Sequence, residues 1–207
     1  MEYVEVKNLF PDVSRETFDR VTLYVELCKK WNKTINLVAP DSLSVIWQRH
    51  VFDSLQLLSQ VQGNARSIVD IGSGGGFPGM ILALATYDPA NSLQVILVDS
   101  DRRKCEFLKT VARMTGIVVD IRTDRIEAVP SLAVDIVTAR GFAPLDQLLN
   151  YAHLHLAPNG TALFLKGAKV ETEISKARKI WNFELEKFQS VTHPQASILK
   201  IGGISRV

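Results

Sequence analysis

Asp70, Asp99, Glu127, Arg140 and a run of glycines are the parts of this chain whose types and spacing suit chemistry on a bound small molecule. Asp70 opens the pattern Asp70-x-Gly72-x-Gly74-x-Gly76, which continues as Phe77-Pro78-Gly79. Glycines there let the backbone approach a ligand, or another stretch of backbone, without a Cβ in the way. A helix starting directly behind them presents free N–H groups to the same spot. Asp70 either meets a cationic ligand group or braces the turn by accepting its backbone N–H groups. Asp99 ends the next expected strand, where a carboxylate can accept from both hydroxyls of a ribose; with Ser100 and Asp101 it equally suits capping the following helix. Glu127 and Arg140 follow the third and fourth strands, at the carboxyl ends where open parallel sheets receive ligands. Arg140 is therefore a stronger functional candidate than any surface lysine.

The elements that must position these residues follow from periodicity. Ile68, Val69 and Ile71 read as a strand covered on both faces, residues 72–76 as a tight turn, and Met80 to Leu84 as a helix whose first turn tolerates Pro78. Beyond the helix Gly79 to Thr86 come a loop to Ser92, a strand Leu93 to Asp99, a helix Arg102 to Thr115 and a strand Ile117 to Arg122. A fourth strand runs from Val134 into the Arg140-Gly141-Phe142 loop, and a helix Pro144 to Leu156 leads to a turn at Pro158-Asn159-Gly160. A strand Thr161 to Leu165 and a helix Val170 to Trp181 follow. This rhythm predicts an α/β chain with a parallel sheet and right-handed crossovers. The final runs, Glu184 to Val191 and Ala196 to Ile201, read as a hairpin, which puts one antiparallel strand in the sheet.

Ahead of the glycine turn, Phe18, Val21, Val25 and Cys28 mark a helix from Ser14 to Trp31, and Ile46, Phe52, Leu55 and Leu58 mark a second from Asp41 or Ser42 to Gln60. Residues 1–64 thus form an N-terminal helical extension, and residues 65–207 one structural unit. By local spacing, Arg49 and Asp53 are i,i+4 neighbours on a polar face shared with His50 and Ser54, which predicts a local ion pair on a solvated surface.

Composition bounds the rest. The chain has 207 residues, enough for one sizeable core with an extension. Its net charge of +2 permits a nucleic-acid partner without arguing for one. Cys28 and Cys105 lack metal-ligand spacing and sit in apolar helical contexts, so buried thiols in a reducing compartment are expected. No apolar span of membrane length and no leader pattern at Met1 occurs, so a soluble cytoplasmic protein is the expectation.

Two cofactor readings compete for the turn. Gly74 to Gly79 satisfies G-x-G-x-x-G, the pattern of dinucleotide sites. Read one register earlier, from Asp70, the turn has the arrangement of S-adenosylmethionine-dependent methyltransferases. The closing hairpin fits the seven-stranded methyltransferase sheet, with its seventh strand inserted antiparallel, better than an all-parallel dinucleotide fold. Arg102, Arg103 and Lys104 suggest a 2′-phosphate, but the acidic Asp99 argues against one.

Several segments in order resemble one family, the bacterial glucose-inhibited division protein B family of 16S ribosomal RNA guanine-N7 methyltransferases. They are Trp31-Asn32-Lys33 with Ile35-Asn36-Leu37, Arg49-His50-Val51-Phe52-Asp53-Ser54-Leu55, Asp70 to Gly79, Leu97-Val98-Asp99-Ser100, Ala139-Arg140-Gly141-Phe142 and Leu165-Lys166-Gly167. The Gly-Phe-Pro-Gly ending and the Arg-His-x-x-Asp-Ser-Leu run are its specific parts. Gly141 departs from the pattern, since many relatives have Ala after the arginine.

The resemblance implies a class I, Rossmann-like methyltransferase fold and S-adenosyl-L-methionine as cofactor. Gly72, Phe77, Ile126, Glu127 and Arg140 would be its contacts and Asp99 the second-strand acid; Asp70, Gly74 and Gly76 belong to the same binding turn. It also moves Arg49, His50 and Asp53 from a solvated face to the cleft. The implied chemistry is attack of guanine N7 on the sulfonium methyl, which needs no general base, so no catalytic acid–base unit is expected. Arg140 and Lys166 are candidate orienting residues, and Phe142 and Arg140 candidate partners for an unstacked base. Lys33, Arg49, His50, Lys166 and Lys169 either contact phosphates or are plain surface charges. The expected partner is 16S rRNA, in the small ribosomal subunit or an assembly intermediate, with no membrane or metal. An NAD-dependent oxidoreductase and a non-catalytic ribosome-binding module are the alternatives.

Overall fold

Short, mainly apolar runs such as residues 68–71 and 95–98, ended by Gly72 and Asp99, form central strands of this chain, and stretches with apolar residues three and four apart form helices that cover them. The computed structural model describes residues 1–61, 63–90 and 93–207, so the end of the expected loop at Ser92 lies outside the described residues. Helix α1 (Tyr3–Leu9) precedes α2 (Arg15–Trp31), whose N-cap Ser14 accepts from Thr17 N–H at 3.0 Å. Helix α2 buries the expected Phe18, Val21, Val25 and Cys28, and also Tyr24.

The second expected helix is broken. A 3-10 turn (Pro40–Ser42) is followed by a π-helical stretch (Trp47–Phe52), a short α3 (Asp53–Leu55) and a 3-10 stretch (Gln56–Gln60). Residues 50–52 and 54–57 are all buried while Gln48 and Arg49 stay exposed, so His50 and Ser54 leave the expected solvated face and tertiary partners override the 3.6-residue period.

The sheet comprises β1 (Ser67–Ile71), β2 (Gln94–Val98), β3 (Asp120–Arg122), β4 (Val134–Arg140), β5 (Leu156–Lys166), β6 (Trp181–Gln189) and β7 (Ser197–Arg206), in the order β3-β2-β1-β4-β5-β7-β6. Strands β1 to β5 pair in parallel, while β7 runs antiparallel to both β5 and β6. The crossovers carry α4 (Gly79–Thr86), α5 (Arg102–Thr115), α6 (Leu145–His155) and α7 (Val170–Ala177). Alternate strand residues face opposite layers. Ile68, Leu97, Ile136 and Leu163 join the layer of α2, α4 and α5; Val69, Ile96, Val137 and Phe164 join that of α6 and α7.

Several boundaries shift, among them the end of β7, which runs on to Arg206 beyond the expected Ile201. Residues 158–160 lie within β5, where Leu156 pairs with Val134 ahead of an irregularity that restarts the register at Ile136 and Thr161. Helix α7 ends at Ala177 because Trp181, 1% exposed, enters β6 opposite Arg206. Strand β3 is confined to Asp120–Arg122, the residues that pair with β2. Both cysteines are free and buried, and burial pushes the Cys28 thiol up to about 12. Among the described residues no helix is long and apolar enough to cross a membrane.

The chain reverses its sheet order at β1, with β2 on one side and β4 on the other, and the glycine turn emerges there. Gly79 is what lets α4 start against β1. A Cβ on it would lie 2.4 Å from Leu97 Cδ2 and 2.5 Å from Asp70 Cβ. Gly79→Ala is therefore expected to lower unfolding free energy by about 1–3 kcal/mol, as overpacking does. Urea unfolding checks it, and an unchanged midpoint would show that α4 can move away without loss.

Candidate active site

The turn after β1 holds Gly72 and Gly74 at φ of +66° and +57°, the left-handed region that side chains with a Cβ resist. Beside it opens a cleft of about 380 Å³, lined among others by Gly72, Gly74, Phe77, Asp99, Arg140 and Phe142. Asp99 accepts from Gly74 N–H at 2.7 Å and from Asp101 N–H at 2.8 Å. Capping of α5 falls to Asp101 instead, whose carboxylate accepts from Arg103 N–H at 2.9 Å. Asp99 is thereby left at the cleft with a second lone pair on each oxygen.

Asp70 takes the other of its two readings. It is 1% exposed, accepts from Thr138 Oγ1 at 2.8 Å and Gly79 N–H at 3.2 Å, and does not line the cleft. It ties β1, β4 and the start of α4 together. Gly76 is likewise internal, since a Cβ there would meet Leu108 and Met80 at 2.8 Å. The Tyr24 hydroxyl donates to the Gly75 carbonyl, so α2 also anchors the turn. Ile126 is buried, and exposed Glu127 accepts from the Tyr151 hydroxyl; neither lines this cleft or the larger one beside it. That bond holds the Glu127 carboxyl below its ordinary value and pushes the Tyr151 hydroxyl up to about 12.

Arg140 ends β4 between the small cleft and a larger one of about 1120 Å³. Its Nη1 donates to the Arg49 carbonyl at 3.0 Å and lies 3.4 Å from Asp53 Oδ2, and its Nη2 is 2.6 Å from His50 Nδ1. Asp53 thus pairs across the fold with Arg140 and not with its helical neighbour Arg49. Asp53 Oδ1 accepts from Gln56 Nε2 and Thr192 Oγ1, each at 2.9 Å, which joins residues 53–56 to the β6–β7 loop. His50 is 8% exposed; burial first, then the Arg140 and Arg49 charges, push its imidazole down to about 3. It is a neutral ring and no phosphate-binding cation. Tyr24, Gln56, Ser190 and Thr192 had no local signal that would mark them, because each has a partner more than fifty residues away, and Ser42 meets His50 only through the irregular course of the chain between them.

The larger cleft is lined by Arg49, His50, Asp53, Phe142 and Lys166 together with residues 192, 193, 195 and 196 of the β6–β7 loop. Phe142, 41% exposed, lies over the turn; a Cβ on Gly72 would fall 2.1 Å from its ring. The Lys166 ammonium donates to the Ala143 carbonyl at 3.0 Å and pairs with Glu173 at 2.6 Å, so it clamps the loop carrying Phe142. Lys33 and Lys169 are exposed and line neither cleft.

A family model described as rRNA small subunit methyltransferase G matches residues 18–201. The chain belongs to this family. It is 46% identical over 201 residues to the ribosomal RNA small subunit methyltransferase G of Ruegeria sp. (strain TM1040), covering 97% of each chain. In fold it is similar to a TehB-like SAM-dependent methyltransferase from Corynebacterium glutamicum, at TM-score 0.54 and 16% identity over 74% of this chain and 88% of that one. It is also similar to M. jannaschii TYW2 in complex with AdoMet, at TM-score 0.51 and 12% identity over 75% and 77%.

A methyltransferase of this family needs a site for a nucleoside-bearing sulfonium, and the small cleft has the chemistry for one. It offers backbone at Gly72 and Gly74 and an acid with free lone pairs at Asp99, with Phe77 and Phe142 also in its lining. Asp70, beneath it, has a distinct titration. Burial raises its carboxyl to about 6, outweighing the hydrogen bonds and Arg140 charge that favour the anion. A carboxyl raised on folding contributes stability below its unfolded pKa of about 3.9 that is lost as pH rises through about 6. The wild type is therefore expected to lose stability relative to Asp70→Asn between pH ~4 and ~7, by about 3 kcal/mol for a two-unit shift. Denaturant unfolding of both proteins over that range checks it, and a pH-independent difference would mean that Asp70 is not shifted.

Proposed function

We propose that this protein transfers a methyl group from S-adenosyl-L-methionine to N7 of a guanine in 16S ribosomal RNA, acting in the cytoplasm on the small subunit or an assembly intermediate. Membership of the methyltransferase G family carries the reading. The two clefts that meet at Arg140 and Phe142 suit it, one sized for a nucleoside cofactor and the other for a larger, planar substrate. In this reading residues 1–64 are an extension that supplies one wall of the substrate cleft, and residues 65–207 are the methyltransferase unit.

Backbone at Gly72 and Gly74, the Phe77 ring, Asp99 and Arg140 would hold the cofactor, with Asp99 accepting from the ribose hydroxyls. When bound, the cofactor supplies an electrophilic methyl on a sulfonium centre. Guanine N7 carries an available lone pair, so no side chain has to remove a proton. The chain's contribution is alignment and exclusion of water, an effect worth about 7–11 kcal/mol when orientation is good. Phe142, exposed at the junction, is the side chain suited to stack on an unstacked base. Arg49, exposed on the wall of the larger cleft, is suited to contact a phosphate.

Calorimetric titration is expected to show S-adenosyl-L-methionine binding that Asp99→Ala weakens by about 1–3 kcal/mol, the loss of an acceptor shared by two hydroxyls. Mass mapping of 16S RNA from a deletion strain is expected to show one guanine lacking its N7 methyl, restored by the wild-type gene. Binding of NAD in place of S-adenosyl-L-methionine, or an unchanged RNA map, would overturn the proposal.

A further inference from the structure

Among the described residues, the hydrogen-bond partners of the Arg140 guanidinium all come from residues 49–53: the Arg49 carbonyl, Asp53 Oδ2 and His50 Nδ1. A guanidinium can only donate, so at 2.6 Å the His50 Nδ1 must accept and carries no proton. The ring hydrogen then sits on Nε2, which is 2.8 Å from Ser42 Oγ. Ser42 can accept it because its own hydroxyl hydrogen goes to the Ala39 carbonyl at 2.7 Å. Donation therefore runs in one direction, from Arg140 to His50 to Ser42 to Ala39. The His50 ring also packs on Phe77, with centroids 5.0 Å apart, and Arg140 Cζ lies 5.2 Å from the centre of the same Phe77 ring.

We infer that His50 is a positioning residue, which through its bare Nδ1 holds the Arg140 guanidinium at the junction of the two clefts, with Ser42 selecting the tautomer that allows it. The charged groups around the imidazole are Arg140 from β4, and Arg49 and Asp53 from its own segment. An imidazolium would set two cations face to face and remove the acceptor, and the low pKa of His50 agrees with a ring that stays neutral. The device explains why a histidine inside the fold lies beside an arginine without any carboxylate of its own. Its functional consequence rests on the reading of the small cleft as the cofactor site; the tautomer does not.

Two experiments test it. Imidazole nitrogen and carbon chemical shifts of histidine-labelled protein are expected to show His50 in the neutral Nε2–H form from about pH 5 to 8, across the ordinary histidine pKa of about 6.5. An imidazolium or an Nδ1–H ring in that range overturns the inference whatever the protein's activity. The second is titration of S-adenosyl-L-methionine into two variants that divide the ring's hydrogen bonds between them. His50→Asn puts an amide oxygen near the place of Nδ1 and gives up Ser42; His50→Gln reaches Ser42 and gives up the acceptor for Arg140. His50→Gln is expected to weaken binding at least about tenfold and His50→Asn to stay within about threefold, as loss of a charge-assisted and of a neutral hydrogen bond would do. Equal losses, or a greater loss in His50→Asn, overturn the positioning role, since a ring that only fills space gives no such order. A wild type that fails to bind S-adenosyl-L-methionine would sink the proposed function while the chemical shifts still decide the tautomer.

Discussion

The buried Asp70 carboxylate joins three elements at the point where the strand order reverses. By accepting from Thr138 on β4 and from the first N–H of α4, it fixes how far β1 and β4 stand from the helix that begins between them. The glycine turn is suspended from that junction, and Asp99 holds it from the opposite side through Gly74 N–H. Burying an anion costs free energy unless it is hydrogen-bonded, and each donor to Asp70 comes from a different element. The junction therefore exists only when the sheet, turn and helix are all in place. The position of the turn is as well determined as the sheet itself, which is what a site that must align two reactants requires.

A second, partly exposed junction connects this rigid centre to the N-terminal segment. Arg140 reaches from the end of β4 to residues 49–53, and Asp53 passes the connection on to Thr192 in the β6–β7 loop. Three parts of the chain far apart in sequence thus meet around one guanidinium and one carboxylate. Removing either partner would leave the other charge partly desolvated, so the junction is retained as a unit. Within residues 47–60, His50 and Asp53 meet the same guanidinium, and Gln56 bonds both Asp53 and Ser190, so the segment is held by β4 and by the end of β6 together.

Phe142 depends on both junctions. Its ring occupies space that exists because Gly72 has no Cβ, and its loop is clamped by Lys166 and Glu173, the latter also accepting from the first N–H of α6. Tyr151 on α6 packs against the ring at 5.9 Å and is itself held by Glu127. Glu127 and Lys166 therefore bear on the site through the side chain they help to place, a role that their charge alone would not suggest.

The amino-acid sequence by itself determined the elements whose partners are local or periodic. The Ser14 cap and the apolar spacing of α2, the helix Arg102–Thr115, the strand–turn–helix at Asp70 to Gly79 and the antiparallel closing hairpin all follow from hydrogen bonds and burial patterns that recur every two to four residues or from turn chemistry. Family membership was legible for a related reason, because the specific runs around Arg49 and Phe77 are contiguous. Only the tertiary structure separates the surroundings of the two carboxylates, with Asp70 an internal brace and Asp99 at the cleft. Asp70 and Asp99 are both acids at strand ends, and what separates them is Thr138, donating to one from another strand, and the open cleft beside the other. The broken helix at residues 47–60, the exchange of Arg49 for Arg140 as partner of Asp53, and the neutral state of His50 have the same cause. Each is set by a contact across tens of residues, and no pattern within a single segment carries information about where such a partner will lie.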